Sequence, residues 1–150
     1  MNNDRYEFIT SESHLTFEFQ SDGPKGKIKK IVNFRPYNVN GRTYFNLAFG
    51  DWNEESARLD DMAVSNNHDT SKILATVAAI ALKITEYFPD IAVAASGSSQ
   101  ARTRLYQMAI SANLNEIEKA LDVYGWYQGS WEPFTRNINY EAFSVKRKQK

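Results

Sequence analysis

The chain has 150 residues, no cysteine, and 18 basic against 18 acidic side chains, so its formal net charge at pH 7 is zero. This length suits one ordinary domain, and we expect a single α+β domain over residues 1–150. The charge balance removes any general attraction to nucleic acid or anionic membrane, so such binding would need a local patch. The lack of cysteine excludes disulfides and thiolate chemistry, and the two histidines have no ligand spacing, so we expect no metal or cofactor.

The sequence carries no signal for export or for membrane insertion. Its first ten residues, MNNDRYEFIT, lack a basic region followed by an apolar run, so no signal peptide is predicted. The longest apolar stretch, within residues 73–84, is interrupted by Thr76 and Lys83 and is too short to span a bilayer. We therefore expect a soluble, cytoplasmic protein that makes no membrane contact.

The first half of the chain is typical of β-strands. Five segments carry aromatic or β-branched residues, several of them in alternation: YEFI, LTFEF, GKIKKIVNFRPY, RTYFNLAFG and ARLDDMAV. In the fourth segment, Phe45, Leu47 and Phe49 would share one face. Between the third and fourth segments, Asn40-Gly41 supplies the residues of a type I′ turn, which predicts a hairpin.

After Val64 the pattern changes to helical spacing. Apolar residues recur every three or four positions in residues 70–88, which predicts a helix that Pro89 stops. A short buried strand, Ile91 to Ala95, follows it. We expect this strand to lie parallel to one containing Met62 to Val64, with the helix as a right-handed crossover between them.

Two further helices and a strand pair complete the predicted fold. The second helix begins after Ser99, its N-cap. The third begins at Asn113, with a capping box, and runs through Leu121, and Gly125 ends it. The segments WYQGSW and YEAFSV then predict two strands. The element order is therefore β-β-β-β-β-α-β-α-α-β-β, an α+β fold with a single mixed, largely antiparallel sheet.

The loops before the first and second helices are the candidate binding sites. Since both follow strands expected to be parallel, they should lie at one edge of the sheet. Helix N-termini offer free backbone N–H groups and partial positive charge, which stabilise an anion. The candidate ligand-binding residues are Asn66, Asn67 and Thr70 in the first loop and Ser96, Gly97, Ser98, Ser99, Arg102 and Arg104 in the second.

These residues also have a purely structural interpretation. Ser99 can serve only as a helix cap, and Arg102 and Arg104 can be solvated surface residues. Asn and Asp are ordinary turn residues, and Asp69 would repel a phosphate placed directly above it. On sequence alone the second loop is thus either a socket for an anionic ligand or a well-capped turn.

The segments SNNHDTSKILATVA, GSSQARTRLYQMAI and FGDWNEE resemble a family of bacterial single-domain proteins of unknown function, over almost the whole chain. More distantly, the order of elements resembles the GCN5-related N-acetyltransferase fold without its first two helices. That fold's pyrophosphate loop carries a basic or Gln residue and two glycines, and the matching positions here are Asp69, Thr70, Lys72 and Leu74. The same fold can use a tyrosine as general acid, and the resemblance makes Tyr106 the candidate catalytic residue.

Three functions follow from these observations. The first is a binding or regulatory protein on an acetyltransferase-like scaffold, with a protein partner or a second copy of itself, such as one component of a small bacterial toxin–antitoxin or defence module. The second is an acyl-CoA-dependent N-acyltransferase with a degenerate pyrophosphate loop. The third is a protein that contacts an anionic small molecule, a nucleotide or RNA through Arg102, Arg104 and the C-terminal strands rich in Tyr and Trp. The missing glycines predict no appreciable binding of acetyl-CoA.

Overall fold

A computed structural model describes residues 4–60, 67–97 and 99–149 of the chain. Within these residues, nine strands form one mixed, largely antiparallel sheet that three helices accompany, which confirms the predicted fold class. The strands are β1 (Ile9–Thr10), β2 (Thr16–Gly23), β3 (Gly26–Val39), β4 (Arg42–Asn53), β5 (Arg58–Asp60), β6 (Val93–Ala95), β7 (Leu121–Tyr127), β8 (Ser130–Pro133) and β9 (Ala142–Arg147). The helices are α1 (Thr70–Tyr87), α2 (Gln100–Ala112) and α3 (Leu114–Ala120).

The sheet has the strand order β1-β2-β3-β4-β6-β9-β7-β8, with β5 also paired to β4. The long hairpin of β3 and β4 turns at Asn40 and Gly41, whose φ angles are 52° and 82°, so the predicted turn is confirmed. In β4, Phe45, Leu47 and Phe49 are all buried on one face, as their alternation predicted. This face carries the core.

The parallel pairing in the sheet differs from the prediction. Strand β6 lies parallel to β4, through Phe45 opposite Val93 and Asn46 opposite Ala94, and antiparallel to β9 on its other edge. Residues 62–64, the predicted parallel neighbour, lie outside the described residues. After β4 the chain turns back, and β5 pairs antiparallel to β4. The strand that lies parallel to β6 is therefore β4 itself.

Helix α1 is buried on much of its circumference. Every residue from Ile73 to Ala78 is buried, because the sheet and α2 pack on one side and the N-terminal segment crosses another. In that segment the backbone N–H of Tyr6 donates to the Thr76 hydroxyl at 2.9 Å. No helix in the described part of the chain is long and apolar enough to cross a membrane.

The C-terminal part contains three strands where two were predicted. Gln128 and Gly129, with φ angles of 50° and 86°, form a tight turn between β7 and β8, so WYQGSW spans a hairpin and is not one strand. Gly125 lies inside β7, since α3 already ends at Ala120. A Cβ atom on Gly125 would stand 2.2 Å from the Tyr140 ring, so this glycine allows the ring to pack against the strand.

The sheet thus has two different faces. One face carries the buried aromatic and aliphatic residues that pack against the helices. The other, which we call the open face, is covered by none of the described helices. By the register of the ladders, the open face includes Glu18 of β2, Lys29, Ile31, Asn33, Arg35 and Tyr37 of β3, Tyr44, Asn46, Ala48 and Trp52 of β4, Leu59 of β5, Ala94 of β6, Ser144 of β9, Tyr124 and Trp126 of β7 and Trp131 of β8.

Candidate functional site

The loop before α2 is a capped turn whose polar groups bond to one another. The Ser99 hydroxyl accepts the backbone N–H of Arg102 at 3.2 Å, as its predicted N-cap role requires. The backbone N–H of Gly97 donates to the Thr103 hydroxyl at 3.0 Å. A Cβ atom on Gly97 would lie 2.3 Å from the Thr103 nitrogen, so this glycine allows the loop to pack on its own helix. Ser98 lies outside the described residues.

The two predicted arginines of α2 point into different surroundings. Arg102 is only 3% exposed, and its guanidinium lies 5.3 Å from the centre of the Phe49 ring. Arg104 is exposed and lines a groove of about 450 Å³ together with Gln107 and Glu141. Ser96 is exposed just before this loop. The structure therefore does not bring the two guanidinium groups together on one open site.

In the loop before α1, Asn67 is a buried structural residue. It is 1% exposed, and its Oδ1 accepts the backbone N–H of Lys25 at 2.7 Å. Its Nδ2 donates to the Ser21 hydroxyl at 3.1 Å and to the Gly26 carbonyl at 2.9 Å. These hydrogen bonds hold the loop before α1 against the β2–β3 turn. Asn66 lies outside the described residues.

Asp69, at the first position before α1, holds the N-terminal segment in place. Its side chain makes no capping bond to the helix; instead its Oδ2 accepts the Tyr6 hydroxyl and the Ser21 hydroxyl, each at 2.5 Å. Burial raises the pKa of Tyr6 above its ordinary value of 10.0, and the Asp69 carboxylate adds to the rise. The Lys72 ammonium lies 4.4 Å over the Tyr6 ring, which completes a structural cluster.

The described residues of the two loops line different grooves. Asp69 and Thr70 border a groove of about 920 Å³ beside Tyr6. Gly97 and Ser99 border the groove of about 450 Å³ beside Arg104. The sequence predicted that both loops face one cleft, to which Asn66 and Ser98 also contribute. Both residues lie outside the described residues, so their part of this prediction stays a prediction.

Tyr106, the candidate general acid, lies in the core. It is 5% exposed and lines an apolar cavity of about 50 Å³ between the helices and the sheet. The other residues around this cavity are all apolar. The phenol ring thus packs among core side chains and does not line either of the loop grooves.

The open face carries aromatic side chains in two clusters. On one side, Tyr37 and Tyr44 stack with ring centres 5.6 Å apart. On the other side, Trp126 and Trp131 meet edge to face at 5.3 Å, and 46% of Trp131 is exposed. The strands between the clusters contribute small side chains to this face, namely Ala48, Ala94 and Ser144. Small side chains therefore lie between the two aromatic clusters on this face.

Beside the first cluster is a pocket of about 630 Å³, which we call the Trp52 pocket. Its walls include Lys29, Asn33, Arg35, Trp52, Arg58 and Leu59. The Lys29 ammonium lies 3.7 Å from the Glu18 carboxylate and 5.6 Å from the centre of the Trp52 ring. Arg35 and Arg58 are exposed and make no ion pair with any described residue. They do not meet, because Arg35 lies opposite Asn46 and Arg58 lies opposite Asn53, at the far end of β4.

Sequence reasoning did not single out this pocket. The signal was the alternation in β3, which places Lys29, Asn33 and Arg35 on the face opposite Phe34. Strand β4 continues past Trp52 to Asn53 and pairs there with β5. Residues from four strands meet in the pocket, and this arrangement has no local signature in the sequence.

The comparisons with known proteins place the chain in a family. The model of a family of unknown function, DUF6934, matches residues 2–148, so the chain belongs to this family. This confirms the predicted membership in a family of unknown function, whereas the resemblance to the GCN5-related N-acetyltransferase fold stays a prediction. No curated protein and no solved structure matches the chain.

Proposed function

We propose that this member of a family of unknown function is a binding protein that holds single-stranded nucleic acid across the open face of its sheet. The observation that carries the proposal is the combination, on the open face, of two aromatic clusters with the exposed Arg35, which makes no ion pair with any described residue. Aromatic side chains stack on bases of any sequence, while basic groups hold the phosphates. The open face offers both kinds of contact.

The dimensions of the open face suit a short run of nucleotides. Five strand spacings separate β3 from β8 in the sheet order, and at about 4.8 Å each they span about 24 Å. The small residues Ala48, Ala94 and Ser144 along this path let a polymer backbone approach the sheet closely. Trp131 and Tyr124, 46% and 39% exposed, stand at its far end.

Local charge favours nucleic acid over a protein ligand. The chain as a whole is neutral, but among the described residues the charged ones that line the Trp52 pocket are Lys29, Arg35, Arg58 and Glu18. A cationic pocket beside an aromatic cluster complements a phosphate next to a base. An interface for another protein would be expected to present a more apolar centre.

The proposal is a form of the binding role predicted from the sequence. It stays a prediction that the protein binds a protein partner or a second copy of the chain. The same holds for a role in a toxin–antitoxin or defence module. The exposed Trp131 and Tyr124 would suit such a partner too. The test below therefore includes the oligomeric state of the protein.

Acyl transfer from acyl-CoA is a second candidate. In its favour is the parallel pair β4 and β6 at the centre of the sheet, followed by the N-termini of α1 and α2. Against it, Gly97 and Ser99 are engaged within their own loop, and the Asp69 carboxylate lies where a pyrophosphate would need positive charge. We expect no binding of acetyl-CoA in titration calorimetry. A dissociation constant in the low micromolar range, which corresponds to a binding free energy of about 7 to 8 kcal/mol, would restore acyl transfer as the candidate function.

The proposal is tested by fluorescence anisotropy with labelled single-stranded RNA and DNA of about 12 nucleotides. We expect binding that weakens as salt rises from about 50 to about 200 mM, because counterions are released from the phosphates. The double variant Tyr124→Ala/Trp131→Ala should weaken binding about tenfold or more, given the usual worth of a base stack. The matched control is Met108→Ala on the exposed side of α2, which should bind as the wild type does.

Two results would contradict the proposal. One is an absence of binding to both polymers at the lower salt concentration. The other is an open-face variant that binds as tightly as the wild type while the α2 variant loses affinity. Sedimentation of the same proteins completes the test, since a wild-type dimer that Trp131→Ala dissociates would assign the open face to self-association instead.

A further inference from the structure

We infer that a pocket beside Tyr44 is a subsite for one nucleotide unit, with the base stacked on the Tyr44 ring and the phosphate held by Arg42 and Lys146. This inference rests on the proposed function and names one position at which the polymer is held. The pocket, which we call the Tyr44 pocket, has a volume of about 390 Å³, within the range of small-molecule sites. Among the described residues, its walls include Arg42, Tyr44, Asp90, Ala92 and Lys146.

The register around β6 places three side chains of this pocket in one row on the open face. Val93 lies opposite Phe45 of β4 and opposite Val145 of β9, and all three residues are buried. Side chains alternate along a strand, so the residues next to these three face the other way. The strands β4 and β9 lie two spacings of about 4.8 Å apart, roughly 10 Å in all, which leaves room for a flat base between them. The row consists of Tyr44, Ala92 and Lys146.

The Tyr44 ring has one face that can receive a base. Tyr37 stacks on the ring from β3, with ring centres 5.6 Å apart and an angle of 26° between the ring planes. Tyr37 does not line the Tyr44 pocket, which lies on the β6 side of the ring beside Ala92. A base bound there would extend the stack of two rings, and the small Ala92 side chain beneath it would let the base approach the sheet.

Two cationic side chains of the pocket suit a phosphate. Arg42 is exposed and Lys146 is partly exposed, and neither makes an ion pair with any described residue. Arg42 comes two residues before Tyr44 in β4, so both belong to the same face of the strand. A guanidinium group can contact phosphate oxygens through two parallel hydrogen bonds, and an ammonium group adds a point charge. The pocket therefore offers a phosphate one cation from β4 and one from β9.

Asp90 gives the pocket a means of telling a phosphate from a cationic ligand. Its side chain is exposed, lines the pocket and makes no ion pair with Arg42 or Lys146. A carboxylate repels a phosphate, so Asp90→Asn should strengthen the binding of a nucleotide. Arg42→Ala and Lys146→Ala should weaken that binding. A cationic ligand would reverse all three effects.

The inference is tested by NMR titration of isotope-labelled protein with AMP and with adenosine, which lacks the phosphate. We expect AMP to shift the backbone amide signals of Tyr44, Ala92 and Lys146. AMP should bind about tenfold more tightly than adenosine, which corresponds to one charge-assisted hydrogen bond. Arg42→Ala and Lys146→Ala should each remove about tenfold of AMP affinity on the same basis and leave adenosine binding unchanged. Inorganic phosphate that binds as tightly as AMP would overturn the stacking role of Tyr44.

Matched variants separate a role in binding from a role in folding. Tyr44→Phe keeps the ring and should bind AMP as the wild type does. Tyr44→Leu should weaken both AMP and adenosine about fivefold or more, the usual worth of one base stack. Lys119→Ala removes an exposed lysine from α3, on the helix-covered side of the sheet, and should leave AMP binding unchanged. Loss of AMP binding in Lys119→Ala to the same extent as in Lys146→Ala would overturn the phosphate contact.

The same variants are then measured against the labelled single-stranded polymer. Lys146→Ala should lower the slope of log affinity against log salt by about 0.7, the share of one phosphate contact, whereas Lys119→Ala should not change it. Variants that weaken polymer binding support a nucleotide unit within a chain. Variants that weaken AMP alone support a site for a free nucleotide, and if the wild type binds no polymer, the subsite stands while the proposed function fails. Variants that weaken neither ligand overturn the subsite, and the proposed function stands if the wild type binds the polymer.

Discussion

The substitution Asn67→Ala decides whether this residue serves a ligand, as the sequence suggested, or the fold. The side chain is 1% exposed and makes three hydrogen bonds, to the Lys25 nitrogen, the Ser21 hydroxyl and the Gly26 carbonyl. At about 0.5–1.5 kcal/mol for each bond, plus the small cavity that remains, we expect the free energy of unfolding to fall by about 2–4 kcal/mol. A ligand-binding asparagine open to solvent would cost less than about 0.5 kcal/mol.

Urea unfolding followed by circular dichroism measures the effect, with Ser96→Ala in the other loop as an exposed control. The variant Asn67→Asp is informative as well, because it replaces the donor groups that face Ser21 and Gly26 with acceptors, and we expect it to be at least as damaging. If Asn67→Ala unfolds within about 0.5 kcal/mol of the wild type, the hydrogen bonds described here do not hold the loop, and a ligand role for Asn67 returns.

Three further predictions concern the cap, the core cavity and pH. Ser99→Ala should lower the free energy of unfolding by about 1 kcal/mol through loss of the N-cap bond to α2, and an unchanged urea midpoint would refute that role. Ala95→Val should raise it by about 1 kcal/mol, since the added methyl groups enter the cavity of about 50 Å³ that Ala95 lines; Ala94→Val, on the open face, should bring no such gain, and a lower thermal midpoint for Ala95→Val would show that the cavity cannot accept them. Because the pKa of Tyr6 is raised in the folded state above 10.0, its contribution to stability is present below about pH 10 and is lost as pH rises through the raised value. The wild type should therefore lose stability above about pH 10 more steeply than Tyr6→Phe does in parallel urea titrations, and equal slopes would contradict this linkage.

Much of the local structure could be predicted from neighbouring residues. The turn at Asn40-Gly41, the alternation of Phe45 and Leu47, and the start of α2 after Ser99 each depend on residues close in sequence. Helix α1 was predicted to within one residue, because its apolar spacing is long and uninterrupted. The prediction of one strand over WYQGSW was wrong, because this segment forms the turn of the β7–β8 hairpin. A Gln-Gly turn between aromatic residues resembles a continuous strand in the sequence.

Strand neighbours and site geometry depended on the tertiary structure. The short apolar β6 has no feature that selects β4 over another strand as its parallel partner, because both of its edges are filled from distant parts of the chain. Residue type likewise does not tell whether a polar side chain turns inward. Asn67 and Arg102 looked like ligand residues and are buried, at 1% and 3% exposure.

The residues of the Trp52 pocket could not be grouped together from the sequence. Its walls come from β2, β3, β4 and β5, and each strand contributes residues that alone indicate only a solvated edge or a turn. The sequence by itself determined the β3–β4 turn, the starts of α1 and α2, and which residues of a strand share a face, through turn chemistry and apolar period. Only the packing of the strands side by side decided that Lys29 of β3 lies over Trp52 of β4 beside Leu59 of β5, because those contacts depend on pairing and twist over the whole sheet.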